Sequence, residues 1–348
     1  MGTVALETDL FLPTRLPEPR GPLTRQLFEA LCSPPHPVRW EIERADLNDK
    51  EDLHLALYCC YELHYQGLSG VDPEWEWEPS LLDLRRRLET AFLAQLVTKV
   101  GTIDCDARQV VPHLWDMAAD DGGPSLSRWV AEQADLDQVR EFAIHRSAYQ
   151  LKEADPHTWG IPRLRGEPKA AMVAIQTDEY GGGVARQMHA TLFARTMIAL
   201  GLNPAADYLD VIPGLTLATT NLISLLGLHR RWRGALVGHL ALFEMTSVEP
   251  MGRYASALRR LGVSDIGWEF YDVHVEADQI HQHLAADGLV GGLLRREPHL
   301  ARDVLFGAGA LHAVEVAFSR HLLARWQTGC SSLRAPCGYG RDVAVRRG

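Results

Sequence analysis

The segment YDVHVEADQIHQHL places His274, Asp278 and His281 at i, i+4 and i+7. At about 100° per residue these positions fall within roughly 60° of one another around a helix. Two imidazoles and a carboxylate stacked on one face form a metal-ligand arrangement. Nitrogen and oxygen donors without a thiolate suit iron or manganese as well as zinc. Glu244 lies in LVGHLALFEMTS, where Leu236, Val237, Leu240 and Val248 surround it on the helix surface. A carboxylate among apolar neighbours is costly unless it is paired, protonated or metal-bound. Glu179 ends a predicted helix at Gly181-Gly182-Gly183, and His189 lies on the helix that follows. A glycine run lets the chain break and restart, so both side chains can aim at one point. Bland alternatives stand beside each reading: a solvated histidine-bearing face, a helix-end glutamate and an ordinary loop. A phosphate-binding glycine loop is excluded, since no strand precedes the triplet and no G-x-G-x-x-G spacing exists.

Helices must position these residues. Apolar residues at helical spacing mark 46–66 and 80–99, the latter through Leu81, Leu84, Leu88, Phe92 and Leu96. Further helices are predicted over about 133–153, 167–180, 185–200, 205–211, 214–228, 231–247, 248–261, 266–287 and 298–327. The first of these should stop at Asp155-Pro156, where the ring removes a donor and restricts the residue before it. Alternating Val/Ile/Thr strands are nearly absent, so the fold class is all-α. The loop DDGGPSLS at 120–127 marks a boundary. It separates an N-terminal helical module (1–125) from a second domain (126–328), and a tail expected to be flexible follows at 329–348.

Composition narrows the function. The chain has 348 residues, 35 basic against 45 acidic side chains and a net charge of −10. That balance opposes nucleic-acid or anionic-membrane binding, which need a basic surface. No apolar run is long enough for a membrane span, and no secretory leader is apparent at the start. The cysteines Cys32, Cys59, Cys60, Cys105, Cys330 and Cys337 contain no CxxC and read as free thiols, so a reducing cytoplasm is expected.

Taken in order, Glu179, His189, Glu244, His274, Asp278 and His281 resemble the ligand set of the haem-oxygenase-like diiron oxidases and oxygenases, an iron-containing redox enzyme family. The separations agree with that pattern, with 55 residues from His189 to Glu244 and 30 from there to His274. The resemblance spans roughly 130–328. It implies a haem-oxygenase-like helical bundle, two Fe(II) per chain, O2 as co-substrate, an external electron donor and a small-molecule substrate. Glu153, 26 residues before Glu179, corresponds to an additional carboxylate found in members that oxygenate nitrogen, the streptozotocin-type N-oxygenases. Glu153, Glu179 and Glu244 are thereby the candidate catalytic carboxylates. N-oxygenation of an amine or guanidine is the implied reaction. The six-ligand alternative is C–H abstraction with desaturation or C–C cleavage of an amino or fatty acid. A non-catalytic helical interaction protein stands as the reading from another class. The resemblance also implies a homodimer supported by the N-terminal module, and a place in secondary metabolism.

Other metal readings fit less well. A ferritin-like site would pair Glu51-x2-His54 with Asp278-x2-His281, and it leaves His274, Glu179 and His189 unexplained. Haem would need one proximal histidine rather than an ordered carboxylate and imidazole set. His229, His239, His283, His312 and His321 have no partner at ligand spacing and are read as structural.

Overall fold

A computed structural model describes residues 14–334 apart from 102, 121, 122, 124 and 207. Among these residues the only β-pairing is an isolated bridge between Arg15 and Ser69. The all-α class expected from the sequence is the one observed. The principal helices are α1 (Pro22–Leu31), α2 (Lys50–Glu62), α3 (Pro79–Val100), α4 (Val110–Ala119), α5 (Leu126–Glu132), α6 (Leu136–Gln150), α7 (Glu167–Glu179), α8 (His189–Ala199), α9 (Gly214–Leu228), α10 (Arg233–Met245), α11 (Val248–Arg260), α12 (Asp265–His283) and α13 (Ala301–Gln327). Starts are set by local chemistry. Asp49 accepts from the amides of Glu51 and Asp52 at the head of α2, and Asp135 with Gln138 forms a capping box on α6. No helix among the described residues is long and apolar enough to cross a membrane.

One apolar cluster joins the expected N-terminal module to the rest of the chain. Leu53, Leu57 and Leu88 of α2 and α3 share it with Ile144 of α6, Leu222 and Leu225 of α9 and Val314 of α13. The expected boundary falls at Ser125, the N-cap of α5, but burial is continuous across it. Two further clusters pack α7, α10 and the start of α13, and α5, α8, α11 and α12. Helices α10 and α13 touch backbone to backbone. A Cβ on Gly238 would stand 1.9 Å from the carbonyl oxygen of Val304, and one on Gly307 would stand 1.8 Å from that of Ala235.

Three local expectations are corrected. Residues 205–211, expected as helix, are turns among the described residues, because the Asn203 side chain accepts from the amide of Ala205 and closes a local turn. Helix α6 ends at Gln150, before Asp155-Pro156; the intervening turn reaches a left-handed Ala154 (φ 78°), and the proline begins a short helix instead of ending a long one. The tail expected to be flexible from 329 is pinned as far as 334. Glu141 accepts from the Ser332 amide at 2.8 Å and its hydroxyl at 2.6 Å, and Leu333 is buried. The rest of that expectation, on 335–348, lies outside the described residues.

Candidate metal centre

Every residue singled out from the sequence is buried: Glu153, Glu179, His189, Glu244, His274, Asp278 and His281. Helix α12 presents His274, Asp278 and His281 on its inner face, as the i, i+4, i+7 spacing requires. Glu179 closes α7. Three successive left-handed glycines (Gly181 φ 62°, Gly182 φ 61°, Gly183 φ 84°) then turn the chain so that His189 opens α8 facing it. Glu244 comes from the last turn of α10, and Glu153 from the turn after α6.

These side chains form two overlapping groups, each with ligand atoms within 4.8 Å of one another. The first joins Glu153, Glu179, His189 and His274; the second joins Glu179, Glu244 and His281. Glu179 belongs to both. In the first group the rings of His189 and His274 lie 4.2 Å apart, and His274 Nε2 is 3.8 Å from Glu153 Oε2. In the second, His281 Nδ1 is 3.3 Å from Glu244 Oε2 and 3.6 Å from Asp278 Oδ1. Asp278 therefore borders the second group without completing it.

Five of these side chains each have an atom without a hydrogen-bond partner. Glu153 Oε2, Glu179 Oε2, His189 Nδ1, Asp278 Oδ2 and His281 Nδ1 are all buried and unsatisfied, although His189 Nδ1 stands 2.7 Å from Glu179 Oε2. Buried polar atoms rarely stay unpartnered, and such a convergence fits cations that would satisfy them together. The tautomers agree. His274 Nδ1 lies 2.8 Å from the Phe270 carbonyl and must carry its proton there, leaving Nε2 free as a donor to metal. His281 Nε2 contacts Asp178 Oδ2 at 2.9 Å, which leaves Nδ1 facing the group. Hydrogen bonds of this kind orient ligating imidazoles.

A family model described as "Iron-containing redox enzyme" matches residues 140–316, just over half of the chain and all seven of these positions. The chain belongs to the iron-containing redox enzyme family. It is also 26% identical over 239 residues to the nitrosourea synthase of Streptomyces achromogenes subsp. streptozoticus, a match covering 66% of this chain and 51% of that relative. The chain thus spans about half the length of the curated relative it matches. Family membership supports an oxidoreductase over a non-catalytic helical interaction protein, and iron as the metal for the buried His/Glu groups.

Burial and mutual charge dominate the electrostatics of these residues. Burial, followed by the charges of Glu179, Asp278 and Glu244, pushes the Glu153 carboxyl well above the usual range. Burial raises Glu179 to about 7 and Asp278 to about 6, and raises Glu244 as well. Burial lowers His189 to about 4 and also lowers His274, so both are neutral donors near neutral pH. For His281 burial acts downward, but the Asp278, Glu244 and Asp178 carboxylates around it outweigh it and hold the ring up to about 11.

Sequence reading missed several neighbours. Asp178 orients His281 yet precedes Glu179 directly, and adjacent helical residues do not share a face. Tyr149, His157 and Gln176 line the same small space as Glu153 and Glu179. His239, read as structural, makes a 3.1 Å contact with His157 that joins α10 to the short helix after Glu153. Gln176 had a legible signal, since it stands three residues before Glu179 on one helical face.

Proposed function

We propose that this chain is a dinuclear non-haem iron oxygenase that oxidises a small molecule, with N-oxygenation of an amine or guanidine as its reaction. Glu153, Glu179, His189 and His274 would hold one Fe(II); Glu179, Glu244 and His281, with Asp278 beside them, would hold the other. The observation that carries this reading is the sharing of Glu179 between two buried groups, several of whose inward atoms, on Glu153, Glu179, His189 and His281, lack partners. The inclusion of Glu153 in the first group favours N-oxygenation over the six-ligand alternative of C–H abstraction. Similarity to a protein named nitrosourea synthase supports the same direction.

When bound, a pair of ferrous ions supplies the electrons that reduce O2, chemistry beyond any side chain here, and an external donor must replace those electrons. The chain's own part is positioning. The Phe270 carbonyl and Asp178 fix the rings of His274 and His281. Phe270 backs His189 and Phe193 packs behind Phe270, a wall that keeps water from the first group. Glu179, with its carboxyl near pH 7, can give up its proton as cations enter.

Anaerobic Fe(II) titration of metal-free protein tests the reading: uptake should saturate at about two ions per chain. Oxygen consumption should then depend on an added amine or guanidine, with the product identified by its mass. Glu153→Ala separates the reactions, because an N-oxygenase should lose turnover and a six-ligand oxidase should barely change. Failure to bind iron would refute the proposal.

A further inference from the structure

The space bordered by Glu153, Glu179, Glu244, His274 and Asp278 is about 10 Å³, room for one water-sized species and no organic substrate. A second cavity of about 410 Å³ adjoins it, and Tyr149, Phe243 and Ser247 line both. That volume is in the range of small-molecule sites. Its lining is mixed: Leu242, Met251 and Leu311 provide apolar wall, and Arg146, Gln150 and Arg253 provide polar groups.

The polar groups are not equivalent. Arg146 is already committed: it donates two hydrogen bonds to Glu315, at 2.9 and 2.7 Å, and lies 4.4 Å over the Phe318 ring. Gln150, one turn further along α6 and three residues before Glu153, is different. It is 5% exposed, and its Oε1 has no hydrogen-bond partner. An unpaired buried carbonyl on the wall of this cavity can accept an N–H or O–H from a ligand. On α11, Arg253 has a side chain only 19% exposed. Its Nη1 reaches the hydroxyls of Ser127 (3.2 Å) and Ser125 (3.4 Å), and its Nη2 pairs with Glu249, whose side chain is 71% exposed. So exposed a carboxylate is a weak partner that a ligand carboxylate can replace. Arg320, itself exposed, also lines the cavity, as do Asp120 and Glu249.

We propose that this cavity is the substrate site and that it selects a small carboxylic acid carrying an N–H group at its far end. The carboxylate sits at Arg253 with the Ser125 and Ser127 hydroxyls, the apolar body lies along Leu242, Phe243 and Met251, and the nitrogen meets Gln150 Oε1 beside the centre. A plain hydrocarbon acid would leave Gln150 unpaired. The inference deepens the proposed function and rests on it for where the chemistry occurs.

The test uses full-length, metal-free protein and calorimetric titration with 4-aminobutyrate, 6-aminohexanoate and 8-aminooctanoate, against hexanoate and hexylamine. At least one ω-amino acid should bind about tenfold more tightly than either single-ended compound, the effect of one satisfied buried hydrogen bond. Gln150→Leu should erase the advantage over hexanoate, and Arg253→Met the advantage over hexylamine. The wild-type comparison needs no variant, and circular dichroism checks that the variants fold. No ω-amino acid binding more tightly than hexanoate and hexylamine, binding of none of the series, or indifference to both substitutions overturns the inference. Fe(II) titration of the same proteins keeps the readings apart. Loss of the ligand preference with iron uptake intact refutes the substrate class alone, and absent iron uptake in wild type refutes the metal centre.

Discussion

Lys152→Met perturbs the hold that the N-terminal helices have on the turn carrying Glu153. The Lys152 ammonium pairs with the Glu62 carboxylate of α2; the two side chains are only 10% and 9% exposed. The same ammonium lies 4.4 Å from the Tyr58 ring centroid and 4.9 Å from that of Tyr65. Removing one member of a buried ion pair strands the other charge and costs about 3–5 kcal/mol. For a chain of this length, with an unfolding entropy of about 2.1 cal/mol/K per residue, that is a fall in Tm of roughly 4–7 °C. The double variant Glu62→Gln/Lys152→Met leaves no stranded charge and should recover most of the loss. The assay is a thermal melt of metal-free protein followed by far-ultraviolet circular dichroism. A single variant melting within about 1 °C of wild type, or a double variant as unstable as the single, would refute the charge argument.

Other consequences can be measured on the same protein. Asp178→Asn removes the carboxylate that orients His281 and should weaken Fe(II) binding about 10–100-fold, read by anaerobic titration. His281→Ala and Glu244→Ala should each abolish turnover with the helical circular dichroism spectrum retained; activity in both would contradict the ligand assignment. Fe(II) uptake should release protons and weaken as pH falls through about 7 and 6, where Glu179 and Asp278 regain theirs. Because these carboxyls titrate higher when folded than unfolded, their own contribution to the stability of the metal-free protein should fall as pH rises from about 4 to 7, while the buried histidines that are held low, such as His189, act the other way; the stabilisation by iron through these carboxyls should grow over that window. Calorimetry in two buffers of different ionisation heat counts the protons. Amide exchange over 272–283 should slow when iron is added, and equal rates with and without iron would contradict coupling of metal to α12.

The sequence carried the parts of the site that one helix or one turn can express. His274, Asp278 and His281 show their shared face through spacing alone, and the glycine run between Glu179 and His189 announces a reversal. Glu153 was legible only by resemblance, since the turn that buries it depends on contacts from distant elements: Gln176 to the Ala154 carbonyl, Tyr180 to Asp155 and Glu62 to Lys152. Gln150 and Arg253 are farther still from local pattern, because a cavity arises where helices fail to touch. Residues 205–211 misled for the opposite reason. Their composition permits a helix, but the Asn203 side chain supplies a competing hydrogen bond.

The backbone contact between α10 and α13 bears on how finely this centre can be tuned. Since neither Gly238 nor Gly307 projects anything, peptide planes, which do not compress, set the distance between these helices. A single methyl at either position acts as a wedge. Glu244 lies less than two turns along from Gly238, and Leu311 and Glu315 of the cavity wall follow Gly307 on the other helix. Alanine at one of these glycines would therefore shift Glu244 and the cavity wall at once, disturbing the proposed centre while the chain still counts as folded.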